Sequence, residues 1–209
     1  MKSFSCVSLD IQQALADLAA FKTLLDSHQQ LSEQAQLLPF FQQHSQLCAL
    51  MGQLHPSVVI PDKMAWEYDL FGDFTADFAI GDSYNHAYCF IEFEDGKTNS
   101  IFKQTHRASA DWASRFEHGF SQIVDWIYKL DDMKNTDIFA DRFQQRNIDF
   151  MGVLVIGRRQ ALTPTEQRRL KWREKFVLIN SQRIRCLTFD DLYDDMALRL
   201  SVYPAATLC

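Results

Sequence analysis

The chain has 209 residues and sets 21 Lys and Arg against 27 Asp and Glu, a formal net charge of −6. Hydrophobic residues make up 47% and aromatics 13%, enough for one packed domain, whereas 7 Gly and 5 Pro exclude collagen-like, low-complexity and long-linker architectures. No apolar run reaches the roughly 18 residues of a membrane helix, residues 1–10 carry no basic-then-apolar leader, and the acidic total argues against coating nucleic acid through bulk charge.

Cys6, Cys48, Cys89, Cys186 and Cys209 are odd in number and form no CxxC pair. Neither a disulfide framework nor a zinc ribbon fits that spacing, so free thiols in a cytoplasmic protein are expected. The six His are equally scattered, without an HExxH pair. No Gly-rich phosphate loop or GxSxG elbow is present, and no organic cofactor is expected.

Along the chain, Ile11, Leu15, Leu18, Phe21, Leu24 and Leu25 recur at helical spacing and predict a helix over residues 10–28. A second helix is predicted over 32–52, with Ser32 as its N-cap and Gly52 and Pro56 as its stop. Three short aromatic and β-branched runs follow, at 66–71, 75–80 and 87–94, separated by turn residues, and predict an antiparallel meander. A long helix over 109–133 carries Trp112, Phe116, Phe120, Ile123, Ile127 and Leu130 on one side. The run DFMGVLVI at 149–156 reads as a strand buried on both faces, which makes the long helix a crossover between parallel strands. A helix over 163–175 starts at Thr163-Pro164-Thr165-Glu166, an N-cap with Pro at N1 and Glu at N3. A strand over 184–188 and a helix over 190–200, capped by Thr188-Phe189-Asp190-Asp191-Leu192, complete the order. The fold class is α/β with a mixed sheet, an α-β-β-β-α-β core and a C-terminal α-β-α extension. Residues 1–30 form an N-terminal helical segment and 31–209 the main domain.

Strands disfavour Asp and Glu, so acids within apolar strands call for a reason. Asp77 lies in TADFAI and Glu92 and Glu94 lie in CFIEFE, two apart and hence on one face. A hairpin centred between Tyr84 and Asn85 sets Asp77 opposite Glu92, roughly 5 Å apart on a common face. Two such carboxylates repel, and a hard divalent cation, Mg²⁺ or Mn²⁺, relieves the repulsion. The same spacing also fits an exposed sheet face whose acids are balanced by Lys or Arg.

These features resemble the PD-(D/E)xK nuclease superfamily. FIEFEDGKTNSIFKQ (90–104), WASRFEHGFSQIVDWIYKL (112–130), GVLVIGRR (152–159) and RIRCLTFDDLYDDM (183–196) are more narrowly similar to the Shedu anti-phage nucleases. The resemblance covers about residues 30–200 and implies a restriction-endonuclease-like fold. It also implies an endonuclease in which Asp77 and Glu92 ligate Mg²⁺ or Mn²⁺ and Gln122 extends from the crossover helix toward the site. Glu33 is the matching helix-borne acid. Gln122 and Glu33 fit equally as polar residues on solvated helix faces. The departure is at position 94, where the superfamily has Lys and this chain has Glu. Glu94 supplies no positive charge but fits a base toward the attacking water or a ligand of a second metal, and Lys97 or Lys103 is the expected source of an ammonium. A DNA-end or DNA-structure sensing module that does not cut is the alternative.

Charge is unevenly spread. Residues 158–185 hold nine bases, Arg158, Arg159, Arg168, Arg169, Lys171, Arg173, Lys175, Arg183 and Arg185, against Glu166 and Glu174. That segment carries +7 and the remainder −13. Arg158, Arg159, Arg168, Lys171 and Lys175 are the expected contacts to DNA phosphates. A solvated helix face or an interface to an acidic subunit fits the same pattern. A homo-oligomer is expected, regulated through assembly or a partner.

Overall fold

In the computed structural model, which describes residues 3–203, the most apolar run of the chain lies beside the central strand of a seven-stranded mixed sheet. Cys209 lies outside the described residues; Cys6, Cys48, Cys89 and Cys186 are free, all but Cys6 buried. A two-residue strand β1 (Ser5–Cys6) precedes helix α1 (Ile11–Ser27), whose start is capped by the Asp10 carboxylate accepting from the Gln12 and Gln13 N–H groups. The helix expected over 32–52 is interrupted. Ser32 caps it as anticipated, but it divides into a π-turn (Glu33–Leu37), α2 (Leu38–Gln43), α3 (Ser45–Met51) and a 3₁₀ turn. Pro39 lacks an N–H for a continuous helix, and His44 departs from helical backbone at φ −115° and ψ 61°.

Strands β2 (Lys63–Leu70), β3 (Phe74–Asp82) and β4 (Ala87–Phe93) form the expected meander. Its second hairpin pairs Asp82 with Ala87 and Phe78 with Ile91, the register read from the sequence. A small ribbon of β5 (Phe102–Lys103) and β6 (Asp111–Trp112) follows. Its presence corrects the start of the long helix: α4 spans Ser114–Met133, because Trp112 stacks across the ribbon on Phe102 with ring centroids 4.3 Å apart. A short helix α5 (Asp137–Phe143), absent from the sequence reading, buries Phe139 and Phe143 one turn apart. Strand β7 (Asp149–Val155) then pairs parallel to β4, so α4 is part of a crossover. Only Gly152–Val155 of β7 is buried throughout; Asp149 is exposed and Phe150 and Met151 half-buried.

Helix α6 (Pro164–Phe176) begins with a reciprocal cap between Thr163 and Glu166. It leads through β8 (Leu178–Ile179) to β9 (Gln182–Leu187), parallel to β7, and α7 (Phe189–Ser201) starts on a second reciprocal cap between Thr188 and Asp191. The strand order is β1-β2-β3-β4-β7-β9-β8.

Side-chain alternation divides the core into two layers. Phe78, Ile80, Cys89, Ile91 and Phe93 face α1, α2, α3 and α7, whereas Ala79, Phe90, Leu154 and Ile156 face α4, α5 and α6. Each fully buried large apolar side chain contributes about 1.5–3 kcal/mol. The alternation also settles the acids: Asp77 shares parity with Ala79, and Glu92 and Glu94 with Phe90, so all three face the α4 layer. No helix of the described residues is long and apolar enough to cross a membrane.

Candidate active site

Three chain segments bring carboxylates to the C-terminal end of β4. The β3–β4 ladder ends at Phe78 and Ile91, and the same register carried one residue further sets Asp77 opposite Glu92. Asp77 Oδ2 accepts a 2.8 Å hydrogen bond from the Phe93 N–H. Glu94 continues β4 by donating its N–H to the Val155 carbonyl at 2.9 Å. Glu33 is carried in from the opposite helical layer because Leu31 and Gly96 exchange backbone hydrogen bonds in both directions, at 3.1 and 2.9 Å. The Glu33 N–H also donates to Asp95 Oδ1 at 2.9 Å.

Helix α4 closes the site. Gly119 permits its approach: a Cβ there would lie 2.7 Å from Leu154 Cδ1 and 3.3 Å from Glu94 Cγ. Arg115, in the first turn of α4, donates to Glu94 Oε2 at 2.8 Å and Glu33 Oε2 at 3.3 Å, and lies 3.3 Å from Asp95 Oδ2. Gln122, two turns further, reaches Glu92. Glu92 Oε2 and Gln122 Oε1 are nonetheless buried without a hydrogen-bond partner.

The electrostatics follow from this burial. Glu92 is 6% and Glu94 2% exposed. Burial pushes Asp77 up from the usual carboxylate range, the Phe93 N–H draws it partly back, and the charge of Glu33 adds to the rise. Glu92 is raised furthest, by burial first and then by Asp77, Glu94 and Glu33. Glu94 reaches about 7, because burial outweighs its hydrogen bond and ion pair to Arg115. Asp95 goes the other way: against its burial, the Lys97 ammonium, the Glu33 N–H and Arg115 hold it low.

The residues read from the sequence therefore separate into groups. Asp77, Glu92, Glu94 and Gln122 lie together, with Glu33 at the edge. Lys97 pairs with Asp95 at 2.7 Å. Lys103 lines a neighbouring cleft of about 490 Å³ together with Asp95, Lys97, Ser100, Arg115 and His118. The sequence reading missed Arg115, and no spacing or motif marked it. A roomier, more apolar cavity of about 550 Å³ lies elsewhere, among Phe4, Tyr68, Tyr88, Arg142 and Phe143, and holds none of these residues.

The basic segment is divided as well. Arg158 is 4% exposed: it clasps Asp190 at 3.0 and 3.1 Å and donates to the carbonyls of Leu25 and His28 at the end of α1. Arg159 binds Asp191 and Asp194. Both expected phosphate contacts thus tie the segment after β7 to α7, whose first turns present carboxylates to them, and Arg158 also ties in α1. Arg168, Lys171 and Lys175 are exposed on α6.

The donor set is one of hard oxygens, and the unpartnered oxygens of Glu92 and Gln122 fit a cation. Among the described residues no group of three or more His, Cys, Asp or Glu side chains is disposed to hold a metal by itself. Mg²⁺ does not need such a cage, since one or two carboxylates, waters and a substrate phosphate commonly complete its shell.

An α/β domain with buried acids gathered where its central parallel strands end has them at the position where open α/β sheets receive ligands. The family model for the C-terminal part of the Shedu protein SduA matches residues 30–193, and the chain belongs to that family. Shedu proteins are anti-phage defence proteins. No individually curated protein matches the chain.

Proposed function

We propose that the chain is a divalent-metal-dependent DNA endonuclease of a Shedu-like defence system, with a restriction-endonuclease-like core. The supporting observation is that buried Glu92 and Glu94 and half-buried Asp77 share one sheet face, with an unpartnered Glu92 oxygen. Like charges so placed are retained at a cost in stability, which a catalytic role explains. Asp77 and Glu92 would hold Mg²⁺ or Mn²⁺, with the Gln122 amide oxygen beside them. When bound, the ion polarises the scissile phosphate and lowers the pKa of water.

Glu94, with its affinity for protons raised to about 7, suits a base near neutral pH. It takes a proton from the attacking water as the new P–O bond forms and the bond to the leaving oxygen breaks, the leaving oxygen taking its proton from solvent water. Arg115 orients Glu94 and presents positive charge toward the cleft, the role that neither Lys97 nor residue 94 fills. Lys103 and Lys97 flank the path of the substrate backbone.

A second reading, a module that senses DNA ends or DNA structure without cutting, is favoured by Glu94 in place of Lys and by the lack of a ready three-ligand cage among the described residues. Nicking of supercoiled plasmid with Mg²⁺ or Mn²⁺ separates the two. The nuclease nicks, and Asp77→Ala and Glu92→Ala abolish it; cutting undiminished in both variants removes this site, and DNA binding without cutting establishes the module.

A further inference from the structure

A second concavity lies close to the cleft that neighbours the acids. Ala113 and Ser114 line that cleft, while the preceding residue, Trp112, lines a slot of about 330 Å³ with Arg169, Trp172, Arg173 and Val177. The slot's inner wall is preset. The Arg169 and Arg173 guanidinium groups lie over the Trp112 ring at 5.4 and 4.8 Å. Arg169 is fixed by the Ala110 carbonyl, and Arg173 by both oxygens of Glu117 at 2.6 and 2.8 Å. The outer wall is open: Trp172 is 61% exposed, and beside it, outside the slot, Phe176 is 57% exposed, with ring centroids 5.6 Å apart. Arg168, Trp172 and Phe176 follow at i, i+4, i+8 on α6, with Lys171 and Lys175 along the same side. Among the described residues no carboxylate lines the slot.

We propose that this slot binds the base of an unpaired nucleotide, stacked on Trp172, with the next base against Phe176 and the flanking phosphates on Arg168, Lys171 and Lys175. Aromatic faces bind any base that exposes its π-surface, and cations beside them track the backbone. A duplex keeps those faces inside its own stack, so the site selects single strands, frayed ends or extruded bases. The proposal rests on the nucleic-acid reading above and specifies the form of substrate drawn toward the neighbouring cleft.

The test is fluorescence anisotropy of a dye-labelled short oligothymidylate and a labelled duplex of equal length, with chelator present to prevent cutting. The single strand binds at least about tenfold tighter than the duplex. Trp172→Ala weakens it about tenfold, whereas Trp172→Phe retains most of the affinity. Arg168→Gln and Lys175→Gln each lower the salt dependence by about one contact. Equal binding by wild type and Trp172→Ala overturns the proposal, as does preference for the duplex. Loss of self-association in Trp172→Ala, without loss of oligothymidylate binding, overturns it in favour of a contact between copies of the chain. Binding by a protein that nicks nothing keeps the slot and removes the nuclease; nicking without single-strand binding does the reverse.

Discussion

Arg115 Nη1 stands 2.8 Å from Glu94 Oε2, so a cation from helix α4 meets the buried acid at which the sequence departs from the nuclease motif it resembles. The pairing draws the Glu94 carboxyl down against the effect of burial, leaving it at about 7. The positive charge absent from position 94 is thus present in space.

Arg115→Ala lowers the nicking rate about 100-fold, the usual loss on removing one preorganised charged donor. Glu94 then loses the charge that holds it down, and the acid limb of the pH–rate profile moves to higher pH. Arg115→Lys keeps the limb near its place. An unmoved limb in Arg115→Ala counts against Glu94 as the base.

The buried acids make the metal-free protein less stable as pH rises. Glu92 is raised from 4.5, so between that value and its folded pKa the folded state binds more protons than the unfolded one. Stability therefore falls with pH, by up to about 1.4 kcal/mol per unit for each such group. Glu92→Gln removes one contribution: urea denaturation with chelator shows the variant gaining on wild type from pH 5 to pH 8. A constant difference across that range would show that Glu92 titrates as it does in the unfolded chain.

Gly119→Ala destabilises by about 1–3 kcal/mol, although Ala is the better helix former by about 1 kcal/mol. The added methyl meets Leu154 and the stem of Glu94, both held by the sheet. Urea midpoints measure it, and a stabilised variant would mean that α4 moves aside freely.

Two arginines of the basic segment behave oppositely. Arg158→Ala destabilises by about 3 kcal/mol, because Asp190 and two carbonyls lose a buried partner. Arg168→Ala stays within about 0.5 kcal/mol of wild type and instead weakens DNA binding. Thermal melts beside filter binding at two salt concentrations distinguish them.

The meander and its register were legible because alternation and turn residues act locally: once the loop at Tyr84 and Asn85 is fixed, Asp77 can face only Glu92. The helix caps at Thr163 and Thr188 were legible for the same reason. Arg115 was not, since its partners lie 20, 21 and 82 positions away and a charged residue in a helix's first turn looks solvated. Arg158 misled for the converse reason. Inside a basic run it resembles its exposed neighbours, and only the tertiary position of Asp190 removes it from water. The broken second helix and the ribbon before α4 turned on Pro39 and on an aromatic stack, whose effects depend on what packs against them.

The Arg158 clasp also decides what a dissected chain would do. A fragment beginning at residue 31 would retain the guanidinium and Asp190 but lose the Leu25 and His28 carbonyls that complete its shell. It would also bare the sides of α3 and α7 that α1 covers. The opening helix and the acidic site are therefore expected to melt together, so the region around the site is not expected to work as a transplantable piece.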